Sequence, residues 1–173
     1  LCASPVSREA GQWVKAMTDG MAHRGPDGEG QWSSGPVCLG HRRLSIIDLS
    51  GGGQPMHSAD GQMTVTFNGE IYNYAELKEQ LTALGGQFQT SSDTDVILEG
   101  YRIWGPDCLA RFDGMFAFAL WDNQPRRLFC PRDRFGQQPF FYTLQQGRLY
   151  FPSELTRIEQ LHHRHLTLDP HTR

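Results

Sequence analysis

Long apolar runs are absent from this sequence: none approaches the roughly 20 residues that a helix needs to cross a bilayer. No basic stretch followed by an apolar one stands near the N-terminus, so no secretory signal is legible. Neither sign of charge dominates. Lys and Arg number 16 against 19 Asp and Glu, a formal charge of −3, whereas a surface that gathers nucleic acid is strongly basic. Cysteine is scarce as well. Cys2, Cys38, Cys108 and Cys130 are scattered and form no C-x-x-C pair, which argues against zinc or a disulfide scaffold and suits a reducing, cytoplasmic setting. Cys38, Cys108 and Cys130 read as packing residues in apolar segments. The expectation is a chain without nucleic-acid or membrane partners.

What is present suffices for one well-buried domain over residues 1–173, with 38% hydrophobic content. Ser7 can cap a helix running to about Met21, with Val14, Met17 and Met21 on one face. Gly25-Pro26-Asp27-Gly28 forces a turn. Val37-Cys38-Leu39 and Leu44-Ser45-Ile46-Ile47 read as strand or strand edge. Met63-Thr64-Val65-Thr66-Phe67 alternates with the period of a half-buried strand. A helix follows from Tyr74 to Leu84, stopped by Gly85-Gly86. Another starts near Asp93, carries Val96, Ile97, Tyr101 and Trp104 on one stripe, and ends at Gly105-Pro106. The remainder is strand-rich: Met115–Trp121, Arg127–Cys130, Phe140–Leu144 and Arg148–Phe151. Asn123-Gln124-Pro125 and Gln145-Gln146-Gly147 serve as their hairpin connections. Helices interspersed with strands able to pair antiparallel indicate a layered α+β fold.

Dense polar-glycine blocks stand at the ends of these segments, where binding groups are usually mounted on a rigid frame. They are His23-Arg24-Gly25-Pro26-Asp27-Gly28-Glu29-Gly30, His41-Arg42-Arg43-Leu44-Ser45-Ile46-Ile47-Asp48, Asn68-Gly69-Glu70-Ile71-Tyr72-Asn73 and Ser91-Ser92-Asp93-Thr94-Asp95. Between them they hold a guanidinium, a carboxylate and a carboxamide beside a glycine, the groups that capture of a small zwitterion needs. Each also has a structural reading. Arg43 could form an ion pair with Asp48, Asp93 could be an N-cap, and Asn68-Gly69 could be a type I′ turn. The turn reading fits badly, because Glu70-Ile71-Tyr72-Asn73-Tyr74 does not read as a returning paired strand. Arg24 and Asp27 are candidates to organise a loop by pairing.

Taken with Gly114-Met115-Phe116-Ala117-Phe118-Ala119-Leu120-Trp121-Asp122, Arg132-Asp133-Arg134-Phe135-Gly136-Gln137-Gln138-Pro139 and Ser153-Glu154-Leu155, the blocks resemble the glutamine-hydrolysing domain of asparagine synthetases. That is a class II amidotransferase domain of the N-terminal-nucleophile hydrolase type. The resemblance runs from about Ser4 to Leu161. It implies a four-layer αββα sandwich with mostly antiparallel sheets. It further implies that Arg43 forks onto the α-carboxylate of free L-glutamine, with Leu44, Ser45, Ile46 and Ile47 lining the site. Asp93 would hold the α-ammonium, and Glu70 would touch the substrate edge. Asn68 and Gly69 would form the oxyanion hole for the tetrahedral intermediate. The domain would need no cofactor. A synthetase domain in cis would use ATP and Mg to amidate aspartate, and a homodimer of the parent protein is a further implication.

Members of this family begin the mature chain with Cys-Gly and a short apolar strand, and the free α-amine of that Cys can act as base for its own thiol. Here the sequence opens Leu1-Cys2-Ala3-Ser4-Pro5. Either Leu1 is removed and Cys2 is the nucleophile, or the nucleophile stands upstream of Leu1. The second is favoured, since Pro5 and the cap at Ser7 leave no room for a strand between Cys2 and the first helix. Two rivals to the glutaminase reading stay open: a nucleophile-less glutamine-binding or scaffolding relative, and an amidotransferase domain serving another acceptor. Neither a phosphate loop at Ser50-Gly51-Gly52-Gly53, a metal site at His162, His163 and His165, nor a triad of Ser45, His41 and Asp48 is expected.

Overall fold

A computed structural model of the chain describes residues 8–44 and 52–162. Cys2, the Ser7 cap and most of the Leu44–Ile47 run lie outside them. By contact the chain divides into two compact units, Leu1–Gln138 and Pro139–Arg173.

In the first unit, α1 (Arg8–Gly20) precedes a hairpin of β1 (Gly28–Ser34) and β2 (Val37–Arg43). The β3 (Met56–His57), β4 (Met63–Ile71), β5 (Gly114–Asp122) and β6 (Arg127–Phe129) strands form a four-stranded antiparallel sheet in that order. Between β4 and β5 come α2 (Tyr74–Ala83), α3 (Asp93–Trp104) and a 3-10 helix, Gly105–Arg111. Met63, Val65, Phe67 and Ile71 alternate along β4 and enter one apolar cluster with Leu77 and Leu81 of α2, Val96, Ile97 and Leu98 of α3, and Phe116, Phe118 and Leu120 of β5. Thr66 on the opposite face meets His41 of β2. The far face of β2 is covered by α1: a Cβ on Gly40 would lie within 2.6 Å of the Val14 and Thr18 side chains, so only glycine admits the helix there. The order is therefore helix, sheet, sheet, helix, and the expected α+β sandwich with antiparallel sheets is the fold found.

The helix boundaries have chemical causes. Gly85, at φ 85°, ends α2 while Gly86 N–H bonds the Leu81 carbonyl. The N-cap of α3 is Ser92, whose side chain accepts from Thr94 N–H. The cap therefore falls one residue before the expected Asp93, and the Asp93 carboxylate is released for another task. Asp95, three residues after the cap, accepts from the Gln89 and Thr90 backbone N–H groups at 2.8 and 2.7 Å and holds the loop that enters the helix.

Asn68-Gly69 lies within β4. These residues are not a turn, but the reason differs from the one the sequence suggested. Glu70 and Ile71 do continue the strand, and β4 pairs with β5 without interruption from Met63↔Asp122 to Ile71↔Gly114. The strand is long because its partner is long.

In the second unit, β7 (Thr143–Gln145) and β8 (Arg148–Tyr150) pair antiparallel through Gln146 and Gly147, both at positive φ, and α4 (Leu155–His162) comes next. Phe140 and Phe151 stack at 5.9 Å.

Candidate functional site

Side chains of a strand alternate between faces, so Thr64, Thr66, Asn68 and Glu70 line the side of β4 turned away from the apolar core. On β2, Arg42 points to α1, where its guanidinium bonds the Thr18 carbonyl and Asp19. His41 points to β4, its Nδ1 3.2 Å from Thr66 Oγ1, and Arg43, two residues on, shares that face. The two strands keep step. Trp32, paired with Leu39, lies against His57, which pairs with Thr64. One step further, Gly30 pairs with His41 and meets the Gln54 carbonyl, while His41 meets Thr66. Arg43 follows two residues after His41 on β2, as Asn68 follows two residues after Thr66 on β4.

The Arg43 backbone is clamped. Asp27 N–H donates to its carbonyl at 3.0 Å, and Pro26 bridges it. A Cβ on Gly25 would fall 2.4–2.7 Å from Arg42 and Arg43 main-chain atoms. That close approach explains the Arg24-Gly25-Pro26-Asp27 block: it is laid across β2 at the position of the arginine. His41 beside it is kept neutral. Burial, and then the charge of Arg43, lower its pKa to about 4.

Gly69 sits at φ 140°, and a Cβ there would lie 2.1 Å from the Met115 carbonyl oxygen. Both the backbone angle and the packing against β5 therefore demand glycine. Asn68 donates from Nδ2 to Gln138 Oε1 at 2.9 Å.

Asp93 is 6% exposed. Its Oδ2 accepts the Ile71 N–H at 3.0 Å, which ties the start of α3 to the end of β4, and Ser92 Oγ donates to Oδ1 at 3.4 Å. These donors are neutral. Burial raises the Asp93 pKa, the charge of Glu70 pushes it the same way, and the hydrogen bonds only partly oppose them. Asp93 and Glu70 are thus two carboxylates at the end of one strand, close enough for the charge of each to disfavour that of the other. Leu44 is exposed after β2; Ser45, Ile46 and Ile47, with the Asp48 considered as an alternative partner of Arg43, lie outside the described residues.

Sequence reasoning assigned no role to the Arg132–Gln138 block. Asp133 accepts four backbone N–H groups: Phe135 and Gln137 on Oδ1, Phe116 and Gln138 on Oδ2, at 2.9–3.2 Å. Burial alone would raise its pKa, and those four donors outweigh it and hold the pKa below the ordinary value. Arg132 closes the same loop by donating to the Gln138 and Gly136 carbonyls. The legible signal was an Asp three residues before a Gly, the pattern of a side chain capping its own loop.

No group of three or more metal-ligating side chains occurs among the described residues, and no helix among them is long and apolar enough to cross a membrane.

The model of the glutamine amidotransferase domain family matches residues 2–172 of this chain. The chain belongs to that family. This glutamine amidotransferase domain is 43% identical over 150 residues to asparagine synthetase [glutamine-hydrolyzing] 3 of Bacillus subtilis, covering 85% of this chain and 24% of that protein. It is 38% identical to amidase chry2 of Gibberella zeae, covering 88% and 24%. It thus spans about a quarter of the length of these relatives. Among solved structures it resembles the glutamine phosphoribosylpyrophosphate amidotransferase of B. subtilis complexed with ADP and GMP. The TM-score is 0.61 at 24% identity, over 73% of this chain and 30% of the other, a likeness of fold.

Proposed function

We propose that this domain binds free L-glutamine and, within a longer protein, hydrolyses its side-chain amide to supply ammonia. In this reading Arg43 pairs with the α-carboxylate, Asp93 takes the α-ammonium, and Glu70 contacts the substrate edge. Leu44, Ser45, Ile46 and Ile47 line the site. A guanidinium and a carboxylate reading both charges would exclude glutamine embedded in a polypeptide. The observation that carries the reading is the Asp93 corner: a buried carboxylate with a raised pKa, hydrogen-bonded among the described residues to neutral groups and repelled by Glu70, which a bound ammonium would relieve.

A thiolate, supplied by Cys2 or by a Cys upstream of Leu1, attacks the amide carbonyl. The oxygen becomes negative as the tetrahedral intermediate forms, and the Asn68 Nδ2–H and the Gly69 N–H stabilise it. Ammonia leaves, and water hydrolyses the thioester to glutamate. By its similarity to asparagine synthetases, the parent protein would pass the ammonia to a synthetase domain in cis that uses ATP and Mg to amidate aspartate, as a cytoplasmic enzyme that could form a homodimer. A second reading keeps the glutamine chemistry and changes the acceptor, which the comparable identity to amidase chry2 favours; the residues of this site read glutamine and not what receives the ammonia.

The test is glutamate release from glutamine by the full protein and by its Arg43→Ala variant. The proposal expects turnover in the first and a large rise in KM in the second. Equal kinetics would remove Arg43 from the site.

A further inference from the structure

The structure points to Gln138 as a positioning residue: we infer that its side-chain carbonyl orients the Asn68 carboxamide for oxyanion stabilisation. The inference rests on the glutaminase reading and adds a residue to it.

The need for such a residue arises from the chemistry of Asn68. The terminal torsion of an asparagine is broad and two-fold, and its two ends are opposite in kind: one donates two hydrogens, the other only accepts. With the amide one way round, an N–H faces the forming oxyanion; turned over, a lone pair does. The strand fixes where the side chain begins but not which end points inward. Gln138 Oε1, 2.9 Å from Asn68 Nδ2, engages one of the two N–H bonds. The second N–H is then held in the plane of the same amide and is left for the substrate.

An acceptor can orient its partner only if it is itself held, and Gln138 is. Its N–H donates to Asp133 Oδ2, its carbonyl accepts from Arg132, and Asp133 in turn gathers Phe116, Phe135 and Gln137. Because Phe116 lies directly opposite Gly69 in the sheet, Asp133 ties the Gln138 loop to the strand that backs the oxyanion glycine. The ordering is completed on folding, so none of it has to be achieved when substrate binds. A hydrogen bond that merely decorated the surface would not be set in a loop closed by a carboxylate and a guanidinium at once.

The experiment is a double-mutant cycle in the full protein, using steady-state glutaminase kinetics on wild type, Gln138→Leu, Asn68→Ala and the double variant. Gln138→Leu is expected to lower kcat roughly tenfold, the loss that about one neutral hydrogen bond represents, with KM moved less than about twofold. In the Asn68→Ala background the same change should cost less than about twofold, because its effect passes through Asn68. Should leucine unfold the loop, seen as a lowered melting temperature, Gln138→Asn, whose acceptor falls one methylene short, takes its place with the same expectations. Wild-type kcat in Gln138→Leu, or a full tenfold loss on top of Asn68→Ala, overturns the inference while leaving the glutaminase reading intact. A wild-type protein that releases no glutamate removes that reading first, and the role of Gln138 with it.

Discussion

On one face of β4, Met63, Val65, Phe67 and Ile71 are buried in the apolar cluster that α2, α3 and β5 complete. On the other, Thr64, Thr66, Asn68 and Glu70 carry the polar groups, and hydrogen bonds reach from them to His57, His41 and Gln138. The two faces differ in what they ask of a residue. The first asks for volume and shape, and exchanging one side chain there opens a cavity. The second asks for donors and acceptors at set positions and contributes little apolar burial. One strand can thus carry stability and chemistry with little interference, because its period of two keeps them on opposite sides.

That division can be broken most forcefully from the apolar side. Phe118 is 1% exposed and touches Phe116 and Phe129 by ring contacts. Phe118→Ala should lower the unfolding free energy by about 3–5 kcal/mol, read from urea denaturation. The polar face should respond in the other way: Asn68→Ala is expected to reduce kcat for glutamine by about 10²–10³-fold with an unfolding midpoint close to wild type. A large stability loss in Asn68→Ala would show that the two faces are not separable.

The next effect in size belongs to His41, and its sign is set by the lowered pKa. In the unfolded chain the imidazole titrates near 6.5, in the fold near 4, so below pH 6.5 the unfolded state binds the extra proton. Stability from this group is intact above about 6.5, falls between 6.5 and 4, and levels off below, by at most about 3 kcal/mol. Subtracting the pH profile of His41→Gln from that of wild type should isolate this slope; parallel profiles would mean that His41 is hydrated in the fold. The smallest effect is at the helix cap. Ser92→Ala should cost about 1 kcal/mol in thermal denaturation, whereas no loss would mean that Asp95 alone suffices to start α3.

Much of the fold was legible in the sequence, for physical reasons. Periodicity located the strand at Met63–Phe67, α2 betrayed itself by the Gly85-Gly86 stop, and α3 by its apolar stripe and the Gly105-Pro106 end. β1 escaped because Gly-Glu-Gly-Gln-Trp-Ser-Ser carries no apolar alternation; it is a strand because β2 pairs with it along its whole length. The 3-10 helix at Gly105–Arg111 was hidden behind Gly105-Pro106, since the residues that stop an α-helix do not specify the conformation of the next segment. For the site, family resemblance named Arg43, Asn68, Gly69 and Asp93, while the contacts that hold them did not show in the sequence. Gln138 lies 70 positions from Asn68, and no local pattern links the two. Gly25, too, read only as a turn residue, although its lack of a Cβ is what lets the preceding loop lie across Arg43.

In the proposed reading Arg43 holds one charged end of free glutamine and Asp93 holds the other. Isothermal titration of the full protein with L-glutamine, Nα-acetyl-L-glutamine and L-glutamine α-amide addresses it directly. Saturable heat is expected with glutamine, and a loss of affinity of at least about tenfold with each blocked compound, about the 1.4 kcal/mol or more of a charged hydrogen bond. Equal affinity for all three, or no heat with glutamine, would contradict it.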